Sequence, residues 1–370
     1  MLNHIKGQDN ALELLQKAYE YDRIAQAYLF YGNDGVGKFT TALAFGMAIN
    51  CLAINELKPC GKCDSCHKFM QLEHPDLIYI FPTPNLNLSP EGEIRNSDAI
   101  KPYQKYLENK VNTPWVDFFF KDTIEIRKEN IAMLSKQLEL SIHEAKYRIV
   151  IIEDADMMNN ATANAFLKTL EEPPERTIII LITERIQKII PTILSRTQPI
   201  YFKPLTRKVM EDILINDFEI SASSARTASR ISGGNLKTAI RIASDNISLS
   251  SNWAFELFSL AAASNDLGYF SLAEANKKYQ KKDKIIDLLK YIRIIASDLG
   301  ALCSNSDAEI TNIDKIDFLR NVAEAYPGID DRLYDFLLFL EDLNRKIEGN
   351  VNLNLVMTNL YLNCKHLLKQ

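Results

Sequence analysis

Two motifs lie close together near the start of this chain. The heptapeptide GNDGVGK, Gly32 to Lys38, follows the apolar run AYLFY and precedes a helical pattern that begins near Phe39. Thirteen residues after its lysine comes Cys51, the first of four cysteines spaced as Cx8CxxCxxC. If the intervening segment is helical, a rise of about 1.5 Å per residue separates the two motifs by about 20 Å. The motifs are therefore close in the chain but too far apart in space for a metal and a triphosphate to share chemistry.

The glycine-rich loop has the composition of a phosphate-binding loop. Backbone amides and the N-terminus of the next helix would face phosphate oxygens, while Lys38 reaches the β and γ groups. After the lysine, where a Ser or Thr hydroxyl would bind magnesium, stands Phe39, and Thr40 is rotated about 100° around the helix. The loop therefore binds nucleotide weakly, binds it without hydrolysis or stays empty, and a glycine-rich turn without ligand is the alternative. The candidate nucleotide-binding residues of this loop are Gly32, Asn33, Asp34, Gly35, Val36, Gly37, Lys38 and Thr40.

The cysteines have the spacing of metal ligands. Two thiolates of a CxxC turn reach a tetrahedral ion at about 2.3 Å, and four thiolates leave no place for a catalytic water. The pattern predicts a structural zinc ion, with unpaired thiols or a redox pair as the alternative. The predicted ligands are Cys51, Cys60, Cys63 and Cys66. The other two cysteines, Cys303 and Cys364, lie on apolar helical stretches and are predicted to be core residues.

A third motif is the apolar run RIVII, which ends in Glu153 and Asp154. At the carboxyl edge of a parallel sheet, beside a phosphate-binding loop, such carboxylates can hold magnesium and polarise an attacking water. The usual order is Asp then Glu, and here the two lengths are exchanged. The geometry for catalysis is therefore open, and solvated residues or a helix cap are the alternative.

The pattern of apolar residues divides the chain into an α/β first half and a helical second half. The predicted strands, which alternate with helical patterns and indicate a parallel sheet, are Ala27–Tyr31, Leu77–Phe81, Tyr147–Ile152 and Thr177–Ile182. Residues 82–114 are rich in Asn, Pro and Ser and are interpreted as a surface insertion, most simply a disordered one without function. Beyond Pro204, wide apolar faces over 285–299, 333–343 and 353–368 predict a helical bundle.

Length and charge limit the functions that the chain can have. Its 370 residues suggest two or three domains. A net charge of −5 argues against a generally basic nucleic-acid binder, although it leaves room for a local basic face. The polar N-terminus and the lack of a run of about 18 apolar residues predict a cytoplasmic protein, where clustered cysteines more often bind metal than form disulfides.

Several stretches together resemble one protein family. They are IKGQ from Ile5, RIAQAYLFYGNDGVGKFTTALAF from Arg23, the four-cysteine module, HPDL from His74, IEDADMMNNATANAFLKTLEEPP from Ile152, PTILSRT from Pro191 and NVNLNLVMTNLYL from Asn350. In these stretches the chain resembles the bacterial DNA polymerase III clamp-loader subunits of the AAA+ class, and among them the delta prime type. The resemblance covers most of the chain and is weakest in the insertion and around 245–330.

The resemblance implies an architecture and further site residues. It implies an AAA+ domain over 1–204 with a zinc module at 51–66, a helical lid over 205–246 and a helical collar for oligomerisation over 247–370. It also implies that Thr183 lies near the sensor position and that Lys237 stands where the second sensor arginine would be. Arg196 matches the arginine that reaches into a neighbouring subunit's ATP site, where such a residue raises the rate by roughly 10³–10⁵.

Three departures from the family's pattern weaken the chain's own ATP site: Phe39, the exchanged Glu153–Asp154 pair, and Lys237, which keeps the charge but loses the two-pronged geometry of arginine. A stator of the delta prime type can lose these features while it keeps Arg196. We therefore expect a subunit that helps load the sliding clamp onto primed DNA, with gamma/tau and delta subunits as partners. The alternative is a gamma/tau-like ATPase that binds ATP and magnesium itself. A P-loop kinase or a zinc-dependent nucleic-acid reader would not account for LEEPP, the Ser-Arg segment and the helical C-terminus together.

Overall fold

The fold is known from a computed structural model, which describes residues 2, 5–54, 58–89, 92–244, 248–275, 282–304, 310–312, 315–348 and 351–369. The chain forms two compact units. The first comprises Met1–Ile213 and Gly233–Arg241, and the second comprises Leu214–Ser232 and Ile242–Gln370. No helix within the described ranges is long and apolar enough to cross a membrane. The division into three domains stays a prediction.

A five-stranded parallel sheet forms the centre of the first unit. Its strands are β1 (Ala27–Tyr31), β2 (Leu77–Ile80), β3 (Arg148–Ile152), β4 (Thr177–Thr183) and β5 (Gln198–Tyr201). They lie in the order β2-β3-β4-β1-β5, and all four pairings are parallel. The predicted parallel sheet is confirmed. The predicted ends of β1, β2, β3 and β4 each lie within one residue of the observed ends. Strand β5 was not predicted, because QPIY contains a proline and buries only Ile200.

Helices cover the sheet and make up most of the described part of the chain. The first seven are α1 (Asp9–Glu20), α2 (Lys38–Asn50), α3 (Asp64–Met70), α4 (Ser97–Asn112), α5 (Lys128–Glu139), α6 (Asn160–Glu171) and α7 (Pro191–Leu194). Those after β5 are α8 (Arg207–Asn216), α9 (Ala222–Ile231), α10 (Leu236–Ser244), α11 (Ser248–Ala262), α12 (Asp266–Ala275), α13 (Lys282–Cys303), α14 (Ile316–Ala325), α15 (Ile329–Glu348) and α16 (Leu353–Leu367). As predicted, the described residues beyond Pro204 form helices and no strand.

The sheet is buried on both faces, as parallel sheets usually are. Successive residues of β1 point to opposite sides, so that Phe30 packs in one cluster with Phe45 of α2, and Leu29 packs in another with Phe166 of α6. Strands β3 and β4 are buried throughout, which explains their continuous apolar sequences. The core therefore fixes the strand ends from which the site residues extend.

The segment over 82–114 contains the 16-residue helix α4, so its interpretation as disordered was wrong. The helix packs aromatic rings on Phe81, which follows β2. The ring centroids of Phe81 and Tyr106 are 4.1 Å apart, and those of Phe81 and Tyr103 are 5.4 Å apart. Aromatic contacts therefore hold the insertion against the sheet.

In the second unit, α11, α13, α15 and α16 pack against one another. Cys364 of α16 is buried, as predicted, whereas Cys303 is exposed, so the core prediction for Cys303 was wrong. Cys303 is the last residue of α13, where the helix ends beside solvent-exposed Ser304.

Candidate nucleotide site and cysteine cluster

The carboxyl ends of three neighbouring strands bring the candidate nucleotide residues to one edge of the sheet. The glycine loop follows β1, Glu153 follows β3, and Thr183 ends β4. Because β1 and β3 both pair with β4, these three ends lie side by side. Ligands of open parallel sheets bind outside this edge.

The glycine loop has the backbone of a tight turn that leads into α2. Gly35 and Gly37 have φ of 64° and 91°, in the left-handed region that glycine adopts at little cost. Lys38 is buried, and its ammonium group donates hydrogen bonds to the carbonyl oxygens of Gly32, at 2.8 Å, and of Asn33. Burial lowers the pKa of Lys38, while carboxylates that include Glu184 oppose this shift. Thr40, in contrast, is exposed on α2.

The first residues of α10, together with Asn235 before it, lie against the glycine loop. The amide of Leu236 donates to the carbonyl of Gly35 at 2.9 Å, and a Cβ atom added to Gly35 would lie 2.0 Å from Oδ1 of Asn235. Lys237 lies 2.8 Å from Asp117 and 3.6 Å from Asp34. Although burial opposes it, the hydrogen bond from Lys237 to Asp117 and the charge of Asp34 raise the pKa of Lys237. Lys237 therefore neutralises carboxylates of its own chain at this edge.

Glu153 is engaged by side chains from outside the loop. Its Oε1 accepts from Lys110 at 2.6 Å, and its Oε2 accepts from Tyr106 at 3.3 Å and from Tyr79. Burial would raise the pKa of Glu153, but the charge and hydrogen bond of Lys110 lower it overall. Glu153 is therefore an ionised, fully paired carboxylate.

Phe39 fills the position from which a hydroxyl would reach magnesium. Its ring centroid lies 5.2 Å from that of Tyr79 and 4.1 Å from the ammonium nitrogen of Lys110. A cation over an aromatic face is attracted by the ring quadrupole. With an apolar ring and an ammonium group in these places, the residues present do not fit a magnesium ion between the loop and Glu153.

Asp154 differs from Glu153 in having no ion pair with any of the described residues. Burial, and then the charge of Glu153, raises the pKa of Asp154 from its ordinary 3.8 to about 7. Its φ of 48° is in the left-handed region, which Asp and Asn tolerate better than other side chains. Asp154 is therefore a buried carboxyl group that is partly protonated near neutral pH.

We expect Asp154→Asn to stabilise the first unit above neutral pH. The folded chain keeps a proton that the unfolded chain releases above about pH 4, so stability falls as the pH rises towards about 7. Asparagine removes this loss and suits the same backbone conformation. The free energy of unfolding from urea titrations should exceed that of the wild type by about 1–3 kcal/mol at pH 8, with little difference at pH 4. Equal pH slopes for both proteins would contradict the assignment.

The two remaining predicted residues have partners within the first unit. Thr183 donates to Asp156 at 2.6 Å, and Arg185 pairs with the same carboxylate. Arg196 lies exposed just after α7 and pairs with Glu171 at 2.8 Å. The structure therefore gathers Thr183, but not Arg196, into the candidate nucleotide site.

A cavity of about 260 Å³ lies in front of Glu153. Its lining includes Asp34, Tyr106, Lys110, Asp117, Phe118, Phe120, Asp154, Glu184 and Lys237. Among the residues that the structure describes, five carboxyl groups and two lysines line the cavity, so its charge does not favour a triphosphate. Sequence analysis missed Lys110 and Tyr106, although Ala99, Tyr103, Tyr106 and Lys110 follow the helical spacing that could have revealed one face of α4.

The four predicted cysteines form a separate cluster at the far end of α2. Cys51 follows that helix directly, and Cys66 is buried in α3. All four sulfur atoms lie within 4.8 Å of one another, and those of Cys60 and Cys66 are 4.0 Å apart. Ligands at about 2.3 Å in a tetrahedron would be about 3.8 Å apart, so the cluster can hold a metal ion.

Backbone amides support thiolates in this cluster. The amides of Lys62 and Cys63 donate to the sulfur of Cys60 at 3.5 and 3.4 Å, and lower the pKa of Cys60 to about 6. Burial raises the pKa of Cys51 and Cys66. A bound cation would offset the cost of ionising those two thiols, because metal ligands must be deprotonated. The donor set therefore fits a metal.

Residues 7–206, more than half of the chain, match the model of a family described as "DNA polymerase III, delta subunit". The chain belongs to this family. The matched range includes the glycine loop, the four cysteines, Glu153 and Arg196. Helix α4, which supplies Lys110, also lies within it.

Relatives of this family member include two kinds of polymerase subunit. The chain is 25% identical to DNA polymerase III subunit delta' of Bacillus subtilis over 362 residues, which cover 96% of this chain and 95% of the relative. It is 29% identical to subunit gamma/tau of Mycobacterium bovis over 210 residues, which cover 57% of this chain and 30% of the relative. A solved gamma subunit-related protein of Thermotoga maritima aligns with 96% of this chain and 99% of that chain, at 15% identity and a TM-score of 0.43. The delta' similarity thus extends beyond the range of the family model.

Proposed function

We propose that this chain is a delta-prime-like subunit of a bacterial DNA polymerase III clamp loader, which acts in the cytoplasm and helps place the sliding clamp on primed DNA. The match to the delta' subunit of B. subtilis along nearly the whole of both chains carries this proposal. The gamma/tau relative is matched over only 30% of its length. In this proposal the AAA+ domain spans 1–204, the lid 205–246 and the collar 247–370.

Within the loader, the chain acts as a stator rather than as an ATPase. Phe39 replaces the hydroxyl that binds magnesium, and Glu153 is paired with Lys110. Arg196, in contrast, is exposed and can leave its ion pair with Glu171, because an exposed pair contributes only about 0–1 kcal/mol. The chain then offers Arg196 to the ATP site of a neighbouring subunit while its own site does not hydrolyse ATP.

The cysteine cluster holds zinc in this proposal. Zinc accepts four thiolates in a closed tetrahedral site, and such a site has a structural role. The ion would be bound by Cys51, Cys60, Cys63 and Cys66, whose sulfur atoms already converge.

The helices after residue 247 supply the contacts to gamma/tau and delta subunits. Large apolar side chains are exposed in this region, including Leu267 (82%), Tyr334 (69%) and Leu355 (69%). Exposed apolar residues of this kind are candidates for burial by partner subunits.

One experiment separates the stator from the alternative ATPase. The purified chain is assayed for ATP hydrolysis with magnesium, alone and after mixing with tau-type and delta-type subunits and the clamp. We expect no turnover by the isolated chain and a defined assembly in the mixture. A magnesium-dependent rate of the isolated chain that Lys38→Ala abolishes would disprove the stator function, and failure to assemble would disprove the role in a loader.

A further inference from the structure

Helix α4 brings an ammonium group to Glu153. This carboxylate follows β3, beside the glycine loop, at the place where a carboxylate can hold magnesium. Lys110, in the last turn of α4, lies 2.6 Å from Glu153, and both side chains are largely buried, at 13% and 17% exposure. The same ammonium nitrogen lies 4.1 Å from the centre of the Phe39 ring. Lys110 thus contacts both the residue that replaces the magnesium hydroxyl and the carboxylate opposite it.

The surrounding residues hold this ammonium group in place. The hydroxyl groups of Tyr79 and Tyr106 donate to Oε2 of Glu153, and their two oxygen atoms lie 3.0 Å apart. The ring of Tyr106 stacks on Phe81, which anchors the middle of α4 to the sheet. An ionised carboxylate buried without a cation would be costly, so the charge of Lys110 stabilises the ionised form of Glu153.

We infer that Lys110 is an internal cation that takes the place of a divalent metal at Glu153 and excludes magnesium nucleotide while α4 is docked. The inference deepens the proposed stator function and rests on it in treating this edge of the sheet as a nucleotide site. Two separate features then prevent magnesium binding. One is the loss of the hydroxyl at Phe39, and the other is Lys110, which belongs to the insertion over 82–114. Restoring the hydroxyl alone should therefore not restore metal-dependent binding.

Four proteins test this inference: the wild type, Phe39→Ser, Lys110→Met and the double variant. Methionine keeps the length and the apolar stem of lysine and removes its charge. Binding of fluorescent mant-ADP is measured by anisotropy with magnesium chloride or with EDTA. We expect magnesium to strengthen binding about tenfold or more in the double variant and to have no effect in the wild type or in Phe39→Ser. The control Phe39→Ser/Lys110→Arg keeps the cation and should remain insensitive to magnesium.

A second measurement does not depend on nucleotide. In Lys110→Met, Glu153 is left without its cation. Magnesium ions should therefore raise the melting temperature of this variant by at least about 2 °C. They should not change the melting temperature of the wild type or of Lys110→Arg. The inference would be overturned if mant-ADP binding depended equally on magnesium in Phe39→Ser and in the double variant. It would also be overturned if binding by the double variant did not depend on magnesium. Either result leaves the stator function intact, which fails instead if the isolated wild type hydrolyses ATP with magnesium.

Discussion

Arg196→Ala is expected to slow ATP hydrolysis at the neighbouring subunit's site about 10³-fold or more within an assembled loader, because an arginine supplied in trans stabilises the charge of the transition state. Single-turnover hydrolysis by the mixed assembly measures this effect. Arg196→Lys should recover little of the rate, since lysine cannot make two parallel hydrogen bonds. Size-exclusion chromatography establishes that the variant assembles normally.

The structure supplies two matched controls for Arg196. Arg207 is an exposed arginine of the same unit, so Arg207→Ala makes the same charge change at another place and should leave the rate unchanged. Glu171→Gln releases Arg196 from its 2.8 Å ion pair and should leave the rate at least as high as that of the wild type. If Arg196→Ala hydrolysed ATP as fast as Arg207→Ala, the role in trans would be wrong.

Cys66→Ser is expected to remove bound zinc and to unfold the region around the cysteine cluster. The side chain is fully buried, and α3 joins the core through Phe69, which packs in the same cluster as Ile149 of β3. The apparent binding free energy of structural zinc is roughly 10–16 kcal/mol, whereas the free energy of unfolding of a domain is usually about 5–15 kcal/mol. Losing the zinc therefore removes most or all of the stability of the region that it holds together. Zinc content should fall from about one ion per chain to near zero, and thermal unfolding should begin at lower temperature.

Cys303→Ser is the matched control for Cys66→Ser. Cys303 is exposed and lies in the second unit, so its replacement should change neither the zinc content nor the melting curve. Treatment of the wild type with a strong chelator should reproduce the effect of Cys66→Ser. A chelated protein that keeps its melting temperature and circular dichroism would contradict a structural role of the metal.

The sheet and the cysteine cluster could be predicted from the sequence, because their signals are local. Buried parallel strands read as short continuous apolar runs, as in β3 and β4. Three of the four cysteines, Cys60, Cys63 and Cys66, fall in CxxC turns whose geometry is set within a few residues, and Cys51 lies only nine residues before them. Strand β5 escaped prediction because its pairing with β1, rather than its own composition, makes it a strand.

The engagement of Glu153 could not be predicted from local patterns. Lys110 and Tyr79 are far from Glu153 in sequence. The contact of Lys110 arises only when α4 docks on the sheet, and that of Tyr79 only when β2 pairs with β3. Helix α4 itself was obscured by its polar flanks and by Pro102 within it. The cap at Asn96, whose side chain accepts from the amide of Asp98, marks its start but resembles a turn in isolation.

The order of strands has a consequence for biosynthesis. Strand β1 lies between β4 and β5, and Ala27 pairs with Ile179 while Tyr31 pairs with Tyr201. During translation β1 emerges first, but its first partner strand is complete only when Thr183 has left the ribosome, and its second only when Tyr201 has. Such distant pairing slows folding and leaves nascent chains prone to aggregation. The glycine loop, which follows β1, acquires its final surroundings later still, because Asn235 and Leu236 also lie against it.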